Sequence, residues 1–236
     1  MKNSGLKVFH FQSPQVLAEA AARDWCKRIA DAKDSFTVAL SGGRIANDFF
    51  KAIAVEAAHN KGIRHAHFFW ADERCVPPDH DDSNYRVARE LLFEPLQIAA
   101  SHVHRIRGED EPERAAAAAS QELLQVATPK GSEPPRLDWA FLGMGEDGHV
   151  ASLFPDAIPY RGIYYDVIGP KPPPRRITLS YDTLAAAREV WVLASGTGKE
   201  DAFRESLSPQ GKTPLARLIN LRGFTQIFSD IPVKTP

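Results

Sequence analysis

The chain has 236 residues, an apolar content of 43% and a formal net charge of −1. Its length allows one large core, and its near-neutral charge excludes a sequence-wide basic field for nucleic acid or an anionic membrane. The longest apolar runs are strand-sized and the first residues lack a basic-then-apolar signal pattern, so we expect a cytoplasmic protein that binds neither membrane nor nucleic acid.

The first half of the chain alternates between strand and helix patterns. Strands are predicted at 7–11, as an edge strand, and at 36–40 and 66–71. Helices are predicted at 14–31, at 46–60, from an N-cap at Ser83 to Leu92 or Phe93, and at 110–126. Residues 72–82 are predicted to form a long polar loop and residues 128–136 a surface loop.

The second half continues the alternation, with strands predicted at 137–142, 177–181, 190–194 and 224–228 and helices at 199–207 and 214–219. Repeated strand–helix units predict an α/β fold with a doubly wound, mostly parallel sheet and helices on both faces. We assign residues 1–236 to a single domain.

A glycine-rich turn, Gly143-Met144-Gly145-Glu146-Asp147-Gly148-His149, directly follows the apolar strand at 137–142. His149 is therefore expected at the carboxyl edge of the sheet, where open α/β sheets bind ligands. The glycine spacing also matches a dinucleotide-binding turn, but Pro155 and Pro159 leave too little room for the helix that such a turn requires. We interpret the segment as a catalytic turn, with a structural turn carrying a surface histidine as the alternative.

Other strand ends carry groups suited to an anion. Ser41-Gly42-Gly43, between a strand and a helix, is a candidate phosphate cradle, and Arg44 adds a cation beside it. Arg176 begins a predicted strand, and Lys199 lies near the start of a helix, where a bound anion would explain a lysine that opposes the helix dipole. Turn geometry and solvated side chains are the alternative explanations for these residues.

Asp72-Glu73-Arg74 follows the strand at 66–71, so its charges also fall at the carboxyl edge. Asp72 is suited to orienting a histidine or meeting a substrate hydroxyl, and Arg74 to a bidentate contact with phosphate. A solvated loop is the alternative. For Ser83 and Asn84 we prefer a structural role at the start of the next helix.

The only cysteines are Cys26 and Cys75, and neither lies in a zinc-binding pattern, which favours a reducing compartment. Cys75 is a weak candidate nucleophile because no histidine adjoins it in sequence. The pairs His65/His67 and His102/His104 resemble metal ligands, but period-two spacing in a strand has the same appearance and no third ligand is visible. We expect no metal site.

The segments around Ser41, Asp72, His149, Arg176 and Lys199 together resemble the glucosamine-6-phosphate isomerase/6-phosphogluconolactonase family, on its lactonase side. The motifs that carry this resemblance are Ser41-Gly42-Gly43, Asp72-Glu73-Arg74-x-Val76-Pro77 with Ser83-Asn84, Leu142-Gly143-x-Gly145-x-Asp147-Gly148-His149-x-Ala151-Ser152-Leu153-Phe154-Pro155, Arg176-Ile177-Thr178, and Gly196-x-x-Lys199. The sequence departs from the family at Arg44-Ile45-Ala46, where a small hydroxyl residue, Thr and Pro are more usual.

The resemblance implies hydrolysis of 6-phosphogluconolactone to 6-phosphogluconate in the oxidative pentose phosphate pathway, without a metal or organic cofactor. It implies that His149 activates water with Asp72 nearby. It also implies a phosphate site formed by Ser41, Gly42, Gly43, Arg74, Arg176 and Lys199, to which we add Arg44. The expected partner is a small sugar-phosphate lactone; the sequence leaves the oligomeric state open, and we favour a monomer.

The chemistry of a δ-lactone agrees with this assignment, because an activated ester needs only a positioned water and a base. Backbone N–H groups of the 143–148 turn are candidates for stabilising the carbonyl oxygen during attack. An amino-sugar phosphate deaminase is the nearest alternative, but its turn resembles D-G-H-x-A-F-N-E-P, with a carboxylate where this chain has Phe154. A non-catalytic sugar-phosphate sensor is the second alternative, although it would need neither Asp72 nor His149.

Overall fold

The computed structural model describes residues 5–127, 135–156, 158 and 160–232. The strands in these ranges are β1 Gly5–His10, β2 Phe36–Leu40, β3 Ala66–Trp70, β4 Asp72–Arg74, β5 Trp139–Gly143, β6 Tyr164–Ile168, β7 Arg175–Leu179, β8 Glu189–Ala194 and β9 Phe224–Ser229. Six of them form a parallel sheet in the order β1-β9-β8-β5-β2-β3. The other three form an antiparallel sheet in the order β4-β7-β6.

Helices lie on both faces of the parallel sheet, which confirms the predicted doubly wound α/β fold. They are α1 Pro14–Ile29, α2 Arg44–Glu56, α3 Asn84–Ala88, α4 Glu94–Leu96, α5 Pro112–Ala127, α6 Tyr181–Ala186, α7 Glu200–Leu207 and α8 Pro214–Leu221. One π-helical turn, Arg89–Phe93, joins α3 to α4. Hydroxyl side chains cap the first turns of α1, α3, α6 and α8, as this position prefers.

The core explains why the central strands are apolar along their whole length. Every residue of β2 is buried, as expected for a parallel strand that is covered on both faces. In β5 the ring of Phe141 packs against Trp25 of α1 and Phe49 of α2, and against Trp191 of β8. This packing fixes β5, whose carboxyl end leads directly into the histidine turn.

The largest difference from the sequence prediction concerns residues 72–82, which do not begin as a loop. Asp72–Arg74 forms β4, and Asp72 and Glu73 are only 5% and 2% exposed. Burial is possible because both carboxylates accept hydrogen bonds. The prediction was wrong here since these bonds come from residues distant in sequence.

Two further predictions need correction. The strand expected at 177–181 spans Arg175–Leu179, because the Ser180 hydroxyl accepts a hydrogen bond from the Thr183 N–H and starts helix α6. Strand β6 was not predicted. Most of the surface loop predicted at 128–136 lies outside the described residues, and the assignment of 1–236 to a single domain stays a prediction.

In the described ranges no helix combines the length and the apolarity needed to cross a lipid bilayer.

At the edge of the parallel sheet, three of the four histidines considered as metal ligands lie close together. Nδ1 of His67 is 2.9 Å from Nε2 of His104, and the ring of His102 stacks on that of His67. Burial and the two neighbouring imidazoles lower the pKa of His67. Among the described side chains, no group of three His, Cys, Asp or Glu is arranged to hold a metal ion.

Candidate active site

A cavity of about 560 Å³ lies at the carboxyl edge of the parallel sheet, where the ends of β2, β3, β5 and β8 meet. The structure brings all of the predicted site residues to its wall: Ser41, Gly42, Gly43, Arg44, Asp72, Arg74, His149, Arg176 and Lys199. Because β5 lies between β2 and β8 in the sheet, the histidine turn sits between the turn of Ser41 and the turn of Lys199. The volume suits a small ligand.

The imidazole of His149 is held by Asp147 of the same turn. Nδ1 of His149 lies 2.5 Å from Oδ1 of Asp147, and the backbone N–H of His149 donates to the same oxygen at 3.1 Å. An ionised carboxylate only accepts hydrogen bonds, so Nδ1 carries a proton, and in the neutral imidazole Nε2 keeps its lone pair. The imidazole also packs against the ring of Phe154, with centroids 5.0 Å apart. His149 is thus set up to accept a proton at Nε2.

The pair also affects the carboxylate. Burial acts to raise the pKa of Asp147, but the hydrogen bond and the charge of His149 outweigh it, so the pKa lies below its ordinary value. Asp147 therefore remains ionised and can stabilise a positive charge on the imidazole. Asp147 belongs to the motif around His149, but the sequence alone predicted no role for it.

Gly145 is required by the position of the imidazole, because a Cβ atom on Gly145 would collide with the ring of His149. The turn also uses its own N–H groups: Gly145 donates to the carbonyl of His149 at 2.9 Å, and Gly148 donates to the carbonyl of Gly145 at 3.1 Å. These two groups are therefore occupied within the turn and are removed from the candidates for stabilising the carbonyl oxygen of a substrate. For the other N–H groups of residues 143–148 the expectation stays a prediction.

Asp72 has a different partner from the one considered in the sequence analysis. Its Oδ2 accepts a 2.7 Å hydrogen bond from the hydroxyl of Ser152, and its backbone carbonyl accepts one from the side-chain amide of Asn84 at 2.8 Å. The carboxylate that orients His149 is Asp147, so the hypothesis that Asp72 orients the histidine is corrected. The other suggestion, contact with a substrate hydroxyl, fits its position on the cavity wall.

Two arginines lie opposite one another on neighbouring strands of the three-stranded antiparallel sheet, called the second sheet below. Arg74 of β4 pairs with Arg176 of β7 in the antiparallel register. Arg176 is 7% exposed and donates to the carbonyls of Pro173 and Lys171 at 3.3 Å, while its guanidinium lies 5.7 Å from the Phe154 ring centroid. Burial, and after it the charge of Arg74, lower the pKa of Arg176. Like charges opposite one another are unfavourable, so this arrangement suits an anion between them.

A second pair of cations comes from the turns after β2 and β8. The ammonium group of Lys199 donates to the carbonyl of Met144 at 2.6 Å. Burial, followed by the charge of Arg44, lowers the pKa of Lys199.

The hydroxyl of Ser41 and Nε of Arg74 are buried on the cavity wall without a hydrogen-bond partner in the described part of the chain. Unsatisfied polar atoms of this kind point to a polar ligand.

Glu73 anchors the strand that carries Asp72 and Arg74. Its carboxylate accepts hydrogen bonds from the N–H groups of Arg74, Asn84 and Tyr85, and from the hydroxyl of Ser83. Burial raises the pKa of Glu73 to about 7, although these N–H groups act in the opposite direction. The preferred capping role of Ser83 is confirmed, since its hydroxyl accepts from the N–H of Arg86.

Asn84 does more than begin a helix. It is buried, it lines the cavity, and its side-chain oxygen lies where a Cβ atom on Gly42 would be. The structural role preferred for Asn84 was therefore incomplete.

Cys75, the weak candidate nucleophile, does not line this cavity, and burial raises the pKa of its thiol to about 11.

The fold and this cavity define a doubly wound α/β protein with a histidine–carboxylate pair beside a set of cations. The family model described as glucosamine-6-phosphate isomerases/6-phosphogluconolactonase matches residues 12–226. The chain belongs to this family.

Relatives with names on the lactonase side cover most of the chain. The 6-phosphogluconolactonase of Streptomyces coelicolor is 37% identical over 226 residues, which cover 90% of this chain and 86% of the relative. The 6-phosphogluconolactonase of Treponema pallidum is 37% identical over 182 residues, or 75% of each chain. The solved structure of 6-phosphogluconolactonase from Trypanosoma brucei has a TM-score of 0.84 at 28% identity and covers 95% of this chain and 97% of its own.

Proposed function

We propose that this chain hydrolyses 6-phospho-D-glucono-1,5-lactone to 6-phospho-D-gluconate, the lactone-opening step of the oxidative pentose phosphate pathway, and is thus a carboxylic ester hydrolase. Its family and its similarity to named 6-phosphogluconolactonases support this proposal. The observation that carries the mechanism is that His149, held by Asp147, lines one cavity with five cationic side chains, those of Arg44, Arg74, Lys171, Arg176 and Lys199.

In the proposed reaction, Nε2 of His149 takes a proton from water while the water oxygen attacks C1 of the lactone. Asp147 stabilises the imidazolium that forms, as a carboxylate does for a histidine base. When the tetrahedral intermediate collapses, the bond between C1 and the ring oxygen breaks. The imidazolium then returns its proton to the ring oxygen, which leaves a carboxylic acid at C1 and a free hydroxyl. The acid loses its remaining proton to solvent and becomes the carboxylate of 6-phosphogluconate. General-base assistance of this kind is typically worth about 10² to 10⁴ in rate.

The cations provide the specificity for a phosphorylated substrate. Arg74 and Arg176 come from the second sheet, and Arg44 and Lys199 come from the turns after β2 and β8. Each pair has a charge repulsion that a phosphate dianion relieves. Ser41, Gly42 and Gly43 complete the site, and the Ser41 hydroxyl, which has no hydrogen-bond partner among the described residues, is available to a phosphate oxygen.

Asp72 binds the sugar rather than the phosphate in this proposal, since a carboxylate beside a dianion would be repelled. Its Oδ2 is occupied by Ser152, so Oδ1 is the oxygen available to accept from a ring hydroxyl. Such a bond would hold C1 in line with the water on His149. Geometry of this kind contributes strongly to rate, and displacements of about 1 Å can cost about 10²-fold.

The reaction requires neither a metal nor an organic cofactor, because a δ-lactone is already activated toward attack by water. One chain supplies every residue named here, which agrees with the monomer that we favour. The free Cys26 and Cys75 favour a reducing, cytoplasmic setting.

The test is turnover by the purified full chain with freshly prepared 6-phosphogluconolactone, corrected for spontaneous hydrolysis. We expect formation of 6-phosphogluconate with little activity toward unphosphorylated gluconolactone. Release of ammonia from glucosamine 6-phosphate instead would assign the chain to the deaminase side of the family. Binding of 6-phosphogluconate without turnover of either substrate would favour a sensor.

A further inference from the structure

Ser152 connects the histidine turn to Asp72. It lies three residues after His149 in the chain, and its side chain is fully buried. Its hydroxyl donates to Oδ2 of Asp72, 80 positions away in sequence, at 2.7 Å. We propose that Ser152 is a positioning residue, which fixes the Asp72 carboxylate relative to His149 so that its second oxygen meets the substrate. This inference rests on the function proposed above.

The backbone of Ser152 is held as firmly as its side chain. Its N–H donates to the hydroxyl of Thr178 at 3.2 Å, and Thr178 is the register partner of Asp72 in the second sheet. The preceding residue, Ala151, has a φ of 50°, a left-handed conformation that is unfavourable for a residue with a side chain. The isolated bridge between Val150 and Leu153 closes the same segment. The chain thus adopts a strained turn that places one hydroxyl against one carboxylate.

The hydrogen bond matters because of what surrounds the carboxylate. Asp72 is buried at the cavity wall, and Ser152 is the one hydrogen-bond donor to its side chain among the residues that the structure describes. A hydroxyl that donates to a carboxylate forms a charge-assisted bond, which is stronger and more directional than a neutral one. Without it, the Asp72 side chain is free to rotate. Ser152 itself is too deeply buried to touch a substrate, so it acts only through Asp72.

The test compares Ser152→Ala with Ser152→Thr in the full chain, with 6-phosphogluconolactone as substrate. Loss of one charge-assisted bond predicts that Ser152→Ala lowers kcat by about 10- to 10²-fold, while KM changes by less than about threefold. Ser152→Thr keeps the hydroxyl and is expected to recover most of kcat. Ser180→Ala is the matched control, because it removes another buried hydroxyl that caps α6 outside the cavity. It is expected to lower stability and leave kcat unchanged.

A double-mutant cycle with Asp72→Asn separates positioning from a general loss of structure. Because Ser152 acts through Asp72, adding Ser152→Ala to Asp72→Asn should lower kcat much less than it does in the parent. An equal factor in both backgrounds, or a kcat for Ser152→Ala within twofold of the parent, would overturn the inference.

A readout that does not depend on turnover is the Asp72 rotamer in crystals of Ser152→Ala. We expect the carboxylate to leave its position or to occupy several rotamers while His149 stays in place. An unchanged Asp72 would overturn the inference. If the parent does not hydrolyse 6-phosphogluconolactone, the proposed function fails, and the crystallographic comparison decides the role of Ser152 separately.

Discussion

Replacing Asp147 by Asn removes the charge that faces His149 and keeps the size of the side chain. In the parent, the carboxylate fixes the proton on Nδ1 and stabilises the imidazolium formed during attack. The Asn side chain can turn its NH₂ group toward Nδ1, which would favour the tautomer with its proton on Nε2. The base would then be both less stabilised and partly in the wrong protonation state.

The size of the effect follows from the geometry of the pair. Two unit charges interact by about 4 kcal/mol at a separation of about 4 Å and an effective dielectric constant of about 20, and Nδ1 of His149 and Oδ1 of Asp147 are closer than that, at 2.5 Å. The Asp147 and His149 side chains are 39% and 28% exposed, so solvent screening reduces the interaction. A charge-assisted bond of about 1.5 to 3 kcal/mol is the appropriate range, which corresponds to about 10- to 10²-fold in kcat.

The assay is steady-state hydrolysis of fresh 6-phosphogluconolactone, with the spontaneous rate subtracted. We expect a lower kcat for Asp147→Asn with little change in KM. The control is Asp138→Asn, which removes a partly buried carboxylate that accepts from Thr37 outside the cavity. It should change stability and not kcat. A parental kcat in Asp147→Asn, or a loss seen only in KM, would refute the proposed role of the pair.

Three further predictions concern the cations and the turn. Single replacement of Arg74, Arg176 or Lys199 by Ala should lower kcat/KM for the phosphorylated lactone by about 10- to 10²-fold. The rate of hydrolysis of unphosphorylated gluconolactone should barely change. Equal losses on both substrates would contradict the phosphate site. Because the pKa of Lys199 is lowered, calorimetric affinity for 6-phosphogluconate should begin to fall with rising pH below the ordinary lysine value of 10.5, and Lys199→Arg should remove that decline. Gly145→Ala should displace the imidazole and lower kcat by at least about 10²-fold, and a crystal structure with an unmoved His149 would count against this.

Much of the fold could be predicted from local patterns. The apolar runs at 36–40 and 190–194 match β2 and β8 closely, because strands covered on both faces leave a continuous apolar signal. Helix α2 begins at Arg44 rather than Ala46, within the usual uncertainty of a helix end. Strand β6 was missed because it is an edge strand with only partial burial, so its sequence lacks the continuous apolar signal of a strand covered on both faces.

The residues of the candidate site could be predicted for a topological reason. Carboxyl ends of parallel strands meet at one edge, so side chains that follow β2, β3, β5 and β8 had to come together there. Their partners could not be predicted in the same way. Spacing alone does not decide whether His149 pairs with Asp147 or Asp72, and it gives no sign that Ser152 reaches Asp72.

The second sheet explains why these unpredicted features occur together. Antiparallel pairing of β4 with β7 places Arg74 opposite Arg176, a like-charge pair that opposes folding. The same pairing buries Asp72 beside Thr178, whose hydroxyl holds Ser152 after the strained Ala151. Both features reduce stability locally, and both lie on the cavity. Natural sequences depart from locally favourable choices mainly at functional sites, so these departures support a ligand between the second sheet and the histidine turn.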